Sequence, residues 1–284
     1  MARARVELGK DLRAAVAAGH PWLFDRAIAG VKGRVEPGDL VDIGYRGQAL
    51  ATGFIDPGSP LRVRVLSTTA GRELDGVWAR RLGAECAAVR RTDPALSAVT
   101  CMRLIHGESD YAPGLVVDLY ERTAVVVFDG PGAGGFWRSR LADVIRGLED
   151  AGIEIERVWL RPRGGKAEAI RGDEPPSETV VCEDQIRFAV DVVKGQKTGL
   201  FLDQRDNRRR VAALASGATV LNLFSYNGGF SIAAALAGAR ATTSVDIAGP
   251  AIASAKRSFE LSQIDVRDHE FAAMDVFDFA AQAR

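Results

Sequence analysis

The feature that most constrains this chain is the alternation of short apolar runs with helical segments after residue 190. Val220-Leu-Asn-Leu-Phe224 is a compact apolar strand followed at once by Ser225-Tyr226-Asn227-Gly228-Gly229. Residues 230–237 read as a helix that Gly238 stops, and residues 241–245 as a second strand closed by Asp246. Residues 250–262 form a further helical pattern, and 269–273 a third strand ending near Asp275. Strand and helix alternating with short links predict a parallel sheet with right-handed crossovers. A glycine pair after the first strand lets the backbone approach a ligand, and the helix behind it offers free amides. An acid ending the second strand suits the two hydroxyls of a ribose. Asp246 is that acid, and Asp275 stands in the corresponding place after the third strand. The loop has neither the G-x-G-x-x-G that cradles a pyrophosphate nor the lysine of a P-loop. An adenosine ligand without phosphates fits it better, which points to S-adenosyl-L-methionine.

The two preceding segments have different textures. Residues 1–70 are short strands and turns, punctuated by Gly38-Asp39 and by Asp56-Pro57-Gly58-Ser59-Pro60. Leu61-Arg-Val-Arg-Val-Leu66 alternates with period two, so one face is core and Arg62 and Arg64 point to the other. A small β-barrel is expected. In residues 71–190 a helix is expected over 73–91, a hairpin over 115–128, a second helix over 136–151 stopped by Gly152, and a strand over 153–161. The run 162–178, rich in Gly, Pro and charge, reads as an exposed loop. The middle segment is thus α+β.

Composition narrows the class without choosing a function. Hydrophobic residues make up 47% and charged ones 26% of the 284 positions, the balance of a globular protein. Thirty-seven Lys and Arg cancel thirty-seven Asp and Glu, so a wholesale basic character is excluded while local basic patches are not. No stretch is apolar enough to span a bilayer, and the charged N-terminus lacks the apolar run of a secretory signal. Three widely spaced cysteines, Cys86, Cys101 and Cys182, argue against a disulfide framework or a zinc site and fit a reducing cytoplasm. No metal ligand set is expected.

Gly195-Gln-Lys-Thr-Gly199-Leu-Phe-Leu-Asp203-Gln-Arg205-Asp-Asn207-Arg208, followed by the Asn-Gly-Gly loop, resembles the ribosomal RNA large-subunit 5-methylcytosine methyltransferase family. The resemblance covers the whole chain. Gly19-His20-Pro21-Trp22-Leu23-Phe24 resembles the start of that family's RNA-binding PUA domain. Residues 103–110 and 113–118 resemble its middle domain. The resemblance implies a PUA-like β-barrel over 1–70, an α+β middle domain over 71–190 and the first part of a Rossmann-like methyltransferase domain over 191–284. It implies S-adenosyl-L-methionine as cofactor and RNA, 23S ribosomal RNA, as partner, with transfer to C5 of a cytosine. It leaves the oligomeric state open, a homodimer included. Phe224, Ser225, Tyr226, Asn227, Gly228 and Gly229 would surround the methionine part, with Asn222 at the strand end. Asp246 would hold the ribose, Asp275 would meet the adenine amino group, and Asp203 and Arg205 would come from the entry segment, Arg205 on the methionine carboxylate.

The family's catalytic cysteine, which adds to C6 of the base, and its Asp-Pro-Pro run are not found in residues 191–284. No catalytic residue is therefore assigned. The expectation is an incomplete Rossmann-like domain that binds cofactor weakly or not at all and does not turn over, with 220–224 left as an uncovered apolar edge. Two other readings stand beside it: a non-catalytic RNA- or cofactor-binding protein derived from such an enzyme, and a nucleotide-dependent oxidoreductase, which the loop disfavours. Blander readings exist for single residues. Asp246 and Asp275 could be helix N-caps, the cysteines inert small hydrophobes, Trp22 a core residue rather than a base-stacking platform, and Arg208-Arg209-Arg210 a solvated helix face.

Overall fold

The computed structural model describes residues 3–162 and 166–282. By contact the chain divides into two compact units. One comprises Met1–Pro94, Arg103–Asp118 and Ala124–Gly172; the other comprises Ala95–Met102, Leu119–Thr123 and Asp173–Arg284.

The first unit opens with β1 (Ala4–Leu8), α1 (Arg13–Ala17), β2 (Trp22–Phe24), β3 (Ile28–Lys32), β4 (Leu40–Tyr45), β5 (Gln48–Ile55) and β6 (Leu61–Ser67). These strands form one sheet in the order β2-β6-β5-β4-β1-β3. β1 pairs in parallel with β4 and antiparallel with β3. Val6, Leu23, Val41, Ile43, Ile55 and Val63 meet inside it as one apolar core. Arg64 does face away from that core, as the alternation requires, yet it is buried. Its guanidinium bonds to Glu108 at 2.7 Å and to Asp129 at 2.8 Å, so the following segment covers the outer face of β6. Trp22 departs from its expected core position: it lies on the outer face of β2 and is 40% exposed.

The same unit continues with α2 (Gly76–Thr92), β7 (Cys101–His106), β8 (Leu115–Tyr120), β9 (Thr123–Phe128), α3 (Pro131–Arg138), α4 (Leu141–Asp150), β10 (Arg157–Leu160) and β11 (Glu168–Arg171). The ends of β7, β8 and β9 are counted with the second unit. The sheet order is β11-β10-β9-β8-β7. The Asp75 side chain caps α2 by accepting from the Trp78 amide at 2.9 Å. α2 lies directly on α4, and Gly83 and Gly147 permit it, since a Cβ at either would strike a carbonyl of the facing helix. Two expectations need correction. The helix expected over 136–151 is two helices, broken where Arg140 turns back to donate to the Phe136 and Leu74 carbonyls at 2.8 Å. The run 162–178 is not all loop. β11 pairs antiparallel with β10, and Arg171 anchors it to Glu149 at 2.8 Å. Residues 163–165 of that run lie outside the described residues.

In the second unit β12 (Thr179–Glu183) and β13 (Ile186–Val190) form an antiparallel hairpin. Then follow α5 (Arg205–Leu214), β14 (Thr219–Leu223), α6 (Gly229–Leu236), β15 (Ala241–Asp246), α7 (Gly249–Leu261), β16 (His269–Ala273) and α8 (Val276–Gln282). The sheet order is β14-β15-β16, with both pairings parallel. This is the α/β alternation read from the sequence. α7 also serves β13: Ser258 Oγ accepts from the Ala189 amide at 2.9 Å, and Ser254 Oγ donates to the Ala189 carbonyl at 2.6 Å. Among the described residues β14 is an edge strand, and its outward Leu221 is 55% exposed. The run 208–210 is not one solvated face. Arg208 is buried, Arg209 makes a two-pronged pair with Asp184 at 2.8 and 2.9 Å, and only Arg210 is exposed.

Candidate cofactor site

Beyond β14 the backbone turns sharply. Phe224 and Tyr226 have φ of 56° and 48°, and Gly228 has φ of 73°. Two bulky residues in the left-handed region so close together store strain that the surroundings must hold. Several bonds do so. The Ser225 amide donates to the Val245 carbonyl at 2.9 Å, and the Tyr226 amide donates to Asp246 Oδ2 at 2.8 Å. The Tyr226 hydroxyl donates to the Gly199 carbonyl at 2.9 Å and accepts from the Gln196 amide at 3.1 Å. The Tyr226 ring meets Phe201 edge-on at 5.3 Å. The Gln-Lys-Thr-Gly run and the glycine loop are therefore one structure. Gly228 is required for a second reason besides its φ: a Cβ there would lie 2.8 Å from Ala255 Cβ. Gly229 begins α6, packed against the Arg208 stem.

Asp246 stands across the loop. Its second oxygen accepts from the Ala248 amide at 2.9 Å, while the N-cap of α7 is Ala248 itself. Asp246 thus ties the loop to the end of β15 rather than capping a helix. Each carboxylate oxygen has two lone pairs, so each retains one for a further donor. Asp275 is different. Its Oδ1 accepts from the Phe277 amide at 2.8 Å and the Asp278 amide at 3.3 Å, the pattern of a cap on α8.

The remaining predicted residues scatter. Asn222 Nδ2 donates to Ser231 Oγ at 3.0 Å, and Ser244 Oγ bonds the same hydroxyl at 2.7 Å, so Asn222 is spent on joining β14, α6 and β15. Asp203 is exposed just before α5, and its side chain accepts a 3.5 Å contact from Gln204. Arg205 is buried and turned inward, away from the role expected of it: it donates to the Cys101 carbonyl at 2.8 Å and lies 3.4 Å from Glu183. Glu183 also receives Arg208 through two bonds, at 2.7 and 2.5 Å. A fully buried carboxylate needs such compensation, and Arg205 supplies part of it.

Two residues missing from the sequence-based set join the site. Ile247 and Phe277 are 74% and 75% exposed, and Phe277 meets the Phe224 ring edge-on at 6.5 Å. The signal for them is an apolar residue placed one or two positions after each strand-ending acid. The site also holds unmet donors. Ser225 Oγ and Asn227 Nδ2 are buried and have no partner among the described residues, a costly arrangement unless a ligand completes it. These groups fit an adenosine bearing an amino acid: hydroxyl acceptors at Asp246, apolar surface for a flat ring, and buried polar atoms at the loop. No group of three or more His, Cys, Asp or Glu among the described residues could hold a metal. Burial pushes the Cys86 and Cys101 thiols up to about 12, so both remain protonated.

The chain is similar to known methyltransferases in sequence and fold. Residues 158–284 match the model for S-adenosylmethionine-dependent methyltransferases, and residues 6–68 match that for PUA-like domains. A ribosomal RNA large subunit methyltransferase of Deinococcus radiodurans is 36% identical over 98% of this chain and 71% of its own length. Ribosomal RNA large subunit methyltransferase I of Aliivibrio fischeri is 32% identical over 98% of this chain and 72% of its own. A solved structure from Streptococcus mutans, described as a SAM-dependent methyltransferase, superposes with a TM-score of 0.84 at 25% identity, covering 99% of this chain and 73% of that one. A methyltransferase solved with S-adenosylhomocysteine also gives 0.84, at 24% identity, and speaks to the fold alone. No helix among the described residues is long and apolar enough to cross a membrane. The chain belongs to the S-adenosylmethionine-dependent ribosomal RNA large-subunit methyltransferases, enzymes with a PUA-like domain ahead of a Rossmann-like one.

Proposed function

We propose that this chain serves methyl transfer to C5 of a cytosine in 23S ribosomal RNA, with residues 1–70 gripping RNA, 71–190 as a middle domain and 191–284 holding S-adenosylmethionine. The observation that carries the cofactor assignment is the loop from Phe224 to Gly229, wrapped onto Asp246 with Ser225 Oγ and Asn227 Nδ2 buried and unmet. The cofactor supplies an electrophilic methyl group. Asp246 accepts the ribose hydroxyls through its two free lone pairs. Ser225 and Asn227 bond the amino-acid part, and Phe224, Ile247 and Phe277 flank the adenine, whose amino group Asp275 accepts at its free oxygen. Asp203, exposed at the entry, faces the ligand from the solvent side. Arg205 and Asn222 act behind the site by fixing α5 and β14.

Calorimetric titration with S-adenosylhomocysteine tests this reading. Binding to the unaltered chain, with NAD giving none, is the expected result. Asp246→Asn keeps the volume but turns one accepting oxygen into a donor, so it loses one of the bonds to the Tyr226 and Ala248 amides as well as ribose recognition, and affinity should fall by about tenfold or more. Equal affinity in that variant would sink the assignment. Methyl incorporation into 23S ribosomal RNA, mapped to the base, tests the cytosine. Cys86 and Cys101 are buried, protonated thiols unsuited to attack on a base, so neither is given that role.

A further inference from the structure

Given an RNA substrate, we propose that the outer face of β2 is a stacking platform for unpaired bases. On this strand Leu23 points into the core, while Trp22 and Phe24 point outward and are 40% and 39% exposed. The same stripe extends at both ends. The His20 ring meets Trp22 edge-on at 6.3 Å, and the Arg26 guanidinium lies over the Phe24 ring, 5.8 Å from its centroid. The order is therefore imidazole, indole, phenyl, guanidinium, at every second residue.

Trp22 is also held in one orientation. Its Nε1 donates to Glu108 Oε1 at 2.9 Å, and the same oxygen accepts from Arg64 at 2.7 Å. That bond anchors the indole at its edge while the residue stays 40% exposed. Ordering two large rings at a surface loses entropy and exposes apolar area, so a fixed, uncovered aromatic pair signals a partner.

The chemistry selects which partner. A pairing strand is disfavoured: β2 has three residues, its register against β6 slips between Leu23 and Phe24, and a one-turn helix, Asp25–Ala27, follows immediately. Short, irregular edges resist strand addition. Bases suit the stripe better. Every base has a flat face that stacks on Trp, Phe, His or Arg, and a cation at one end meets the phosphate. A duplex hides its base faces, so the platform selects unpaired RNA.

The test compares a labelled single-stranded oligoribonucleotide with a duplex of the same sequence by fluorescence anisotropy. The single strand should bind more tightly. Trp22→Ala and Phe24→Ala should each weaken it by about tenfold, with melting temperatures recorded to exclude unfolding. Trp22→Phe should keep most of the affinity but lose the quenching of indole emission that RNA causes in the unaltered chain. That loss does not arise from a purely structural role. Alanine variants that bind single strands as the unaltered chain does would overturn the platform and leave the RNA substrate standing. A change in sedimentation without a change in RNA affinity would make the face a protein contact and overturn it too. Absence of RNA binding by the unaltered chain would overturn both the platform and the choice of RNA as substrate.

Discussion

Leu23 and Leu221 each sit in the middle of a short apolar strand, and their surroundings are opposite. Leu23 on β2 is 1% exposed inside the N-terminal sheet, while Leu221 on β14 is 55% exposed. Both obey the period of two. The difference lies in what covers each face. The N-terminal sheet curls so that Val6, Val41, Ile43 and Val63 enclose Leu23. The parallel sheet has α6 on the face of Asn222, and Leu221 and Leu223 look the other way. Phe224, Ile247 and Phe277 are exposed as well, and the Phe224 and Phe277 rings meet edge-on. Apolarity decides which residues can be buried, whereas topology decides which are.

The largest way to break this contrast is electrostatic. In the second unit Glu183 is buried with Arg205 and Arg208 upon it. Glu183→Gln keeps the volume and leaves two buried cations without a counter-charge, so it should cost about 3–5 kcal/mol. Urea unfolding followed by a probe in the second unit reads it, and a loss below about 1 kcal/mol would mean that water already reaches the pair. The leucines themselves come next. Leu23→Ala should cost about 2–5 kcal/mol through lost burial and a cavity, and Leu221→Ala within about 0.5 kcal/mol. Similar costs for the two would show Leu221 to be covered in solution. Smaller than the Leu23 effect is that of Gly228→Ala, which puts a side chain at φ 73° against Ala255. It should cost about 1–2 kcal/mol and lower affinity for S-adenosylhomocysteine. Unchanged calorimetry would show the loop to be less constrained than its φ values imply.

What the sequence told in advance follows the range of the forces involved. β16 and the stop at Gly238, with its φ of 86°, came from local pattern alone. The turn at Gly228 and the place of Asp246 at the end of β15 were legible in the same way. Arg205 and Arg208 did not. In the sequence Arg205 reads as a cofactor contact and Arg208 as part of a solvated face, and only the fold brings Glu183 beneath them from another strand. Trp22 failed in the other direction: its size argued for the core, but the parity of β2 assigned the core to Leu23. The break at Arg140 depends on Leu74, far back in sequence, accepting from its guanidinium. In each case the deciding partner is distant in the chain.

The smallest effect tests whether surface charge contributes to the second unit beyond its buried pair. The side-chain hydrogen bonds from Arg209 hold the Asp184 carboxyl below its ordinary value of 3.8, against the opposing effect of partial burial. A carboxylate whose folded pKa is depressed stabilises the fold above the unfolded value and loses that contribution as pH falls through the folded one. The stability gap between the unaltered chain and Asp184→Asn should therefore be constant from neutral pH down to about 5 and close in more acid solution. Both side chains are well over a third exposed, so the gap should stay under about 1 kcal/mol and shrink with added salt. A gap that ignores pH would overturn the charge assignment, and since Asn tolerates the φ of 55° at this turn as well as Asp does, backbone strain would not account for the gap either. A gap several times larger would place Arg209 with Arg208 among the buried charges and erase the distinction between the two faces of α5.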